Sequence, residues 1–175
     1  MIAQSQLLLV FSKYIDVLSE CRYNDHEGDN AMPVFTIEAP TGAGRDAKQK
    51  MLKEIHDALD EAYHFPDTRG WLREYAAENV AQDGRVQAEP VRPVCSLEVP
   101  ELVSLDANRK LAQKIEAAIG AAYAGIANVD EVLVLINHYP LRNVGWRHSL
   151  QSDKPEIVAA LAQLNSERDA TATAT

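Results

Sequence analysis

The sequence predicts an α/β fold in which two tandem β-α-β units build one four-stranded mixed sheet with both helices on one face. Three observations lead there: an internal repeat, strand-like alternation at the head of each copy, and a helical stripe directly after it. Sliding the chain against itself by 60 positions lays PVFTIEAP, from Pro33, over PVCSLEVP, from Pro93. The match continues without a gap at Asp46, Ala47, Lys50, Ile55, Ala58, Ala62 and Tyr63. With Pro33, Val34, Glu38 and Pro40 that makes eleven identities, too many for a chance overlap of two alternating strands.

Each element then follows in order. Phe35 and Ile37 alternate with Thr36 and Glu38 as a strand with unlike faces requires, and Cys95 and Leu97 repeat the pattern. Asp46 with Gln49 reads as a capping box, followed by Met51, Leu52, Ile55, Leu59 and Ala62 at helical spacing. The second helix is expected to start near Ser104 or Asp106 and to bury Leu111, Ile115, Ile119 and Ala122. Residues 71–77 and 131–138, the latter holding the VLVLI run, supply the remaining strands, each parallel to the first strand of its own unit. The far sheet face is expected to be apolar and to call for a partner subunit. Residues 79–92 read as a polar connector and 141–151 as a hairpin. Asp153 and Glu156 read as the cap of a last helix ending at Leu164, and 166–175 as a disordered polar tail. The expected organisation is one domain over 33–165, made of repeats 33–80 and 93–140 plus the terminal hairpin and helix.

Composition narrows the function. A chain of 175 residues with 46% hydrophobic residues can fold without staples, and a net charge of -9 argues against a nucleic-acid partner. Cys21 and Cys95 are isolated, which indicates neither a disulfide framework nor a thiolate metal site and suits a reducing, cytoplasmic compartment. The apolar run from Leu7 to Phe11 is too short for a membrane span and has no basic region before it. His26, His56, His64 and His148 lack metal-ligand spacing, and no phosphate-binding glycine motif occurs, so neither metal nor cofactor is expected.

Two β-α-β units opening on MPVFTIEAP resemble the tautomerase superfamily, the relatives of 4-oxalocrotonate tautomerase, and the double-length fused members most of all. The resemblance covers residues 33–164. It implies a fold like that of the family and of macrophage migration inhibitory factor, a homotrimer of double-length chains, and cofactor-independent chemistry at an amino-terminal proline. The matching residue is Pro33, which Met32 precedes as an initiator would. A peptide-bonded proline nitrogen has no basic lone pair, so catalysis requires a chain that begins at Pro33. Residues 1–32 have no counterpart in the repeat, and the codons of Glu27, Gly28 and Asp29 can spell a purine-rich ribosome-binding sequence. They read as an upstream extension or a disordered leader.

The resemblance also implies roles for two arginines. Arg45, in the Gly-Arg turn before the first helix, would hold a substrate carboxylate through its two-pronged fork. Arg73 would draw charge toward a substrate carbonyl as an enolate forms. Trp71, Tyr75 and Trp146 are candidates for the pocket wall. In the ungapped alignment Arg45 falls on Leu105 and Arg73 on Leu133, so only the first copy keeps the chemical set.

The arginine pair that fused dehalogenases and decarboxylases usually carry after the third strand is replaced here by Pro100, Glu101, Leu102 and Val103, and Asp67 is only a loose match for the decarboxylase acid. The expected activity is therefore keto-enol tautomerisation or isomerisation of a small unsaturated or aromatic 2-oxo acid or its enol. Dehalogenation, hydration or decarboxylation are close variants. The other reading is a noncatalytic, oligomeric small-acid-binding protein with an internal, inactive proline.

Overall fold

The computed structural model describes residues 33–172 except 66, 102 and 103. The expectations for residues 1–32 lie outside the described residues. Strand β1 (Val34–Pro40) is followed by helix α1 (Arg45–Tyr63) and strand β2 (Arg69–Tyr75), and a two-stranded hairpin comes next, β3 (Ala81–Gln82) and β4 (Arg85–Val86). The second copy repeats this plan with β5 (Val94–Pro100), α2 (Leu105–Ala122), β6 (Leu133–Tyr139) and the hairpin β7 (Gly145–Trp146) and β8 (Ser149–Leu150); helix α3 (Pro155–Ala172) follows.

The main sheet has the order β2-β1-β5-β6, with β1 and β2 parallel, β5 and β6 parallel, and β1 and β5 antiparallel at the centre. Thr36 faces Ser96, Val34 faces Glu98 and Glu38 faces Val94, so the copies are related by a pseudo-twofold axis through the middle of the sheet. One consequence governs the site: the start of β1 lies at the same end of the sheet as the far ends of β5 and β6.

Phe35, Ile37 and Ala39 of β1 and Cys95, Leu97 and Val99 of β5 share one buried cluster with Met51, Ile55 and Leu59 of α1 and Leu111, Ile115 and Ile119 of α2. Both helices therefore cover one face, as the repeat predicts, and each fully buried aliphatic side chain contributes about 1.5 to 3 kcal/mol. Ile157 and Leu164 of α3 join the same cluster.

Five expectations need correction. β2 and β6 start at residues 69 and 133, so the offset between copies becomes 64 after the helices; the loop before β6 is longer, and Arg73 corresponds to Asn137 rather than Leu133. The N-cap of α1 is Gly44 and makes no side-chain cap bond, so the Asp46–Gln49 capping box does not form, whereas Ser104 does cap α2 by accepting from the Ala107 N–H. The polar connector holds a hairpin of its own, and α3 continues through the expected tail to Ala172, since nothing in its Ala- and Glu-containing sequence breaks a helix. The far sheet face is mixed rather than apolar: Trp71, Leu133 and Leu135 are exposed there among Glu38, Arg69, Arg73, Glu98 and Asn137.

Candidate active site

Pro33 is buried just ahead of β1, and its carbonyl accepts a hydrogen bond from the Arg69 backbone N–H at 3.0 Å. Pro93 does the same with Leu133, also at 3.0 Å, so the two prolines are equivalent in the fold. Their surroundings differ. Beside Pro33 the residue that opens β2 is an arginine, and its guanidinium carbon lies 4.8 Å from the centre of the Trp146 ring, a cation-π contact. Trp146 comes from the second copy's hairpin, which the pseudo-twofold axis carries to the Pro33 end. That hairpin borders an open cleft of about 450 Å³ lined by Trp146, Arg147, His148 and Leu150 among others.

At the Pro93 end the corresponding residues are Leu133 and Gln82. The Gln82 side chain donates to the carbonyls of Ala88 and Pro90, at 2.9 and 3.2 Å, and accepts from the Arg92 N–H at 2.6 Å. Asp83 pairs with the Arg92 guanidinium at 2.9 Å. The first hairpin thus fastens the chain leading into Pro93, while the second presents an indole and a guanidinium.

The structure distributes the expected site residues unevenly. Pro33 and Trp146 come together through Arg69. Arg45 follows the opposite end of β1, about 20 Å along the strand from Pro33. Arg73 is registered with Glu38, to which it donates at 3.5 Å on the exposed sheet face. Trp71 is on that face opposite Thr36, and Tyr75 pairs with Pro40 at the Pro93 end, where it lines two clefts. A single protomer therefore does not gather Pro33, Arg45 and Arg73 into one pocket.

Two residues at the Pro33 end escaped the sequence reading. Arg69 lies just ahead of the expected strand 71–77, which starts two residues later than the observed one. Tyr139, opposite Pro100, is the counterpart of Tyr75, and burial, with the Glu98 charge adding to it, raises its phenol above the ordinary range so that it stays protonated. The signal for both was a second alignment at offset 64, which superposes Tyr75, Asn79, Val80 and Gln87 on Tyr139, Asn143, Val144 and Gln151.

Among the described residues no group of histidine, cysteine or acidic side chains is arranged to hold a metal, and no helix is long and apolar enough to cross a membrane.

No protein-family model matches the chain, and no curated protein matches it by sequence. Solved structures do resemble it. A wild-type fused 4-OT described as a symmetric trimer shares 22% identity over 67% of this chain and 94% of its own, with a TM-score of 0.59. A wild-type fused 4-OT described as an asymmetric trimer shares 18% identity over 69% and 97%, with a TM-score of 0.62. Pt0534 inactivated by 2-oxo-3-pentynoate shares 19% over 69% and 96%, with a TM-score of 0.55. The chain has the fold of the fused 4-OT structures, the tautomerase fold of two linked β-α-β units.

Proposed function

We propose that this protein is a member of the tautomerase superfamily and catalyses cofactor-independent keto-enol tautomerisation of a small 2-oxo acid through the amine of Pro33, in a chain that begins at that residue. The observation that carries the reading is the asymmetry of two equivalent ends: the backbone partner of Pro33 is Arg69, whose guanidinium stacks on Trp146, whereas the partner of Pro93 is Leu133 and the place of Trp146 is taken by Gln82. Two copies of one fold keep the charged set only where a proline can become a terminus.

In this reading the Pro33 amine removes a proton from the enol hydroxyl or the carbon next to the carbonyl and returns it at another carbon, with no net change in electrons. Arg69, rather than Arg73, faces the oxygen on which charge develops, because its backbone is bonded to Pro33 in the same protomer, whereas Arg73 is paired with Glu38 farther along the sheet. Trp146 holds the planar unsaturated substrate. Arg45 reaches a substrate carboxylate only from a neighbouring protomer, which fits a homotrimer like those described for the fused 4-OT structures. The exposed Trp71, Leu133 and Leu135 supply apolar area for that contact.

A second reading is favoured by one fact: in the 175-residue chain Pro33 is peptide-bonded. If residues ahead of it are retained, the pocket binds a small acid without turning it over. The two readings separate on covalent capture. Treatment with 2-oxo-3-pentynoate, the inactivator of Pt0534, should add mass to the Pro33 peptide and abolish turnover of phenylenolpyruvate. An unlabelled Pro33 peptide with turnover intact rejects the amine mechanism.

A further inference from the structure

Helices α1 and α2 begin differently. Ser104 caps α2 by accepting from the Ala107 N–H, whereas α1 starts after Gly44 with no side-chain cap. The first turn of α1 also carries two cations, Arg45 and Lys48, against one acid, Asp46, at the end of a helix where positive charge is unfavourable. An uncapped turn of that charge frays unless a group outside the helix holds it.

The holding group comes from β2. Glu74, registered with Ala39, takes the Lys48 ammonium on one carboxylate oxygen at 2.5 Å and the Tyr123 phenol, from the end of α2, on the other at 3.2 Å. The Lys48 and Glu74 side chains are only 27% and 21% exposed, so salt screens this pair less than it does a surface pair. Burial, with the Glu74 charge beside it, raises the Tyr123 phenol, which stays protonated and able to donate. The Thr41 N–H donates to the Tyr75 carbonyl at 3.0 Å, which ties the turn into α1 to the same end of β2.

Of this arrangement the other copy keeps the tyrosine alone. The pseudo-twofold axis puts Asn108, His138 and Tyr63 in the places of Lys48, Glu74 and Tyr123, and Leu105 in the place of Arg45. The ion pair is thus present in the copy whose helix opens on an arginine, and the helix that opens on a leucine has a serine cap instead.

We infer that Glu74 is a positioning residue for Arg45: with Lys48 and Tyr123 it fixes the first turn of α1, and so the place from which the Arg45 guanidinium takes a substrate carboxylate. The inference rests on the carboxylate role proposed for Arg45 and is independent of the amine of Pro33.

Calorimetric titration of the full chain with 3-phenylpropionate and with 3-phenylpropanamide tests it. The two ligands share one shape and differ in the charged group, and neither has a ketone to enolise, so the state of Pro33 does not enter. In the wild type the acid should bind about tenfold more tightly than the amide. Glu74→Gln keeps an acceptor for Tyr123 and removes the charge that holds Lys48. It should cut the preference to about twofold or less while amide affinity, the control for folding, stays within about twofold. Arg45→Ala should give the same loss, and the double variant no further loss. In the Glu74→Gln background, Gly44→Ser should return the preference to about fivefold. Gly44 has φ of -67° and ψ of 155°, and an added Cβ meets nothing within 4 Å, so a serine there can cap α1 as Ser104 caps α2. If Glu74→Gln does not fold, Lys48→Met breaks the same pair from the helix side and is titrated in its place. A preference that survives the broken pair, a double variant worse than Arg45→Ala alone, or a loss that Gly44→Ser does not reduce overturns the assignment. A preference absent from the wild type, or untouched by Arg45→Ala, removes the carboxylate role of Arg45 and the positioning role with it. Failed turnover of phenylenolpyruvate with the expected titrations intact would instead remove the Pro33 chemistry and leave Glu74 in place.

Discussion

The Arg69 guanidinium stacks on the Trp146 ring at 4.8 Å, joining the opening of the second strand in one copy to the hairpin of the other. The contact crosses the pseudo-twofold axis, so neither copy alone can form it. Because the Arg69 N–H also bonds the Pro33 carbonyl, one residue ties the end of β1 to the pocket wall.

Replacing Arg69 should therefore hurt catalysis more than replacing Arg73. Arg69→Ala is expected to lower kcat/KM on phenylenolpyruvate by about a hundredfold or more. Arg73→Ala, which removes an exposed pair with Glu38, should change it by less than about fivefold. Steady-state kinetics on both variants check this, and the reverse order would return the catalytic role to Arg73.

Arg45 lies at the wrong end of β1 to serve the Pro33 of its own protomer. A site shared between protomers predicts complementation. Mixed oligomers of Pro33→Ala and Arg45→Ala chains, refolded together, should recover activity above the sum of the separate preparations. Strictly additive activity in verified mixed oligomers would contradict a shared site.

Gly70 sits beneath the Phe35 ring, where an added Cβ would come within 2.2 Å of a ring carbon. Gly70→Ala should destabilise the protein by about 1 to 3 kcal/mol, because the ring must leave its place in the core. Denaturant unfolding reads the loss. Phe35→Leu in the same background should restore part of it by shortening the side chain.

Burial pushes the Cys95 thiol up from its ordinary 9.0 to about 12. Peptide mapping after iodoacetamide treatment at pH 8 should find Cys95 unmodified in the native protein and modified in denaturant. A thiol with a raised value in the fold and an ordinary one when unfolded contributes stability below pH 9 that is lost as the pH climbs toward 12. Stability of the wild type should thus fall across that window more than that of Cys95→Ala.

Much of the architecture was legible because each unit carries its own periodicity. Phe35 and Ile37 on one face, and Ile55 and Leu59 one turn apart, require a strand and a helix that pack together, and the repeat makes the sheet four-stranded. The site was harder to read because its assembly depends on register across the pseudo-twofold axis. The resemblance assigned a role to Arg73, which the register pairs with Glu38 on the exposed face, whereas Arg69 opens β2 beside the backbone of Pro33. Trp146 was recognisable as a wall residue, but its partner was not, since 77 positions separate it from Arg69. Strand alternation reports which face a side chain takes, not which end of the sheet it shares with a residue of the other copy.

The most direct measurement compares phenylenolpyruvate turnover by the full 175-residue chain with that of a chain expressed from Met32 and verified by mass to start at Pro33. A free secondary amine predicts that the shorter chain is at least about a hundredfold faster. Equal turnover by the two, with residues still attached ahead of Pro33 in the longer one, would contradict it.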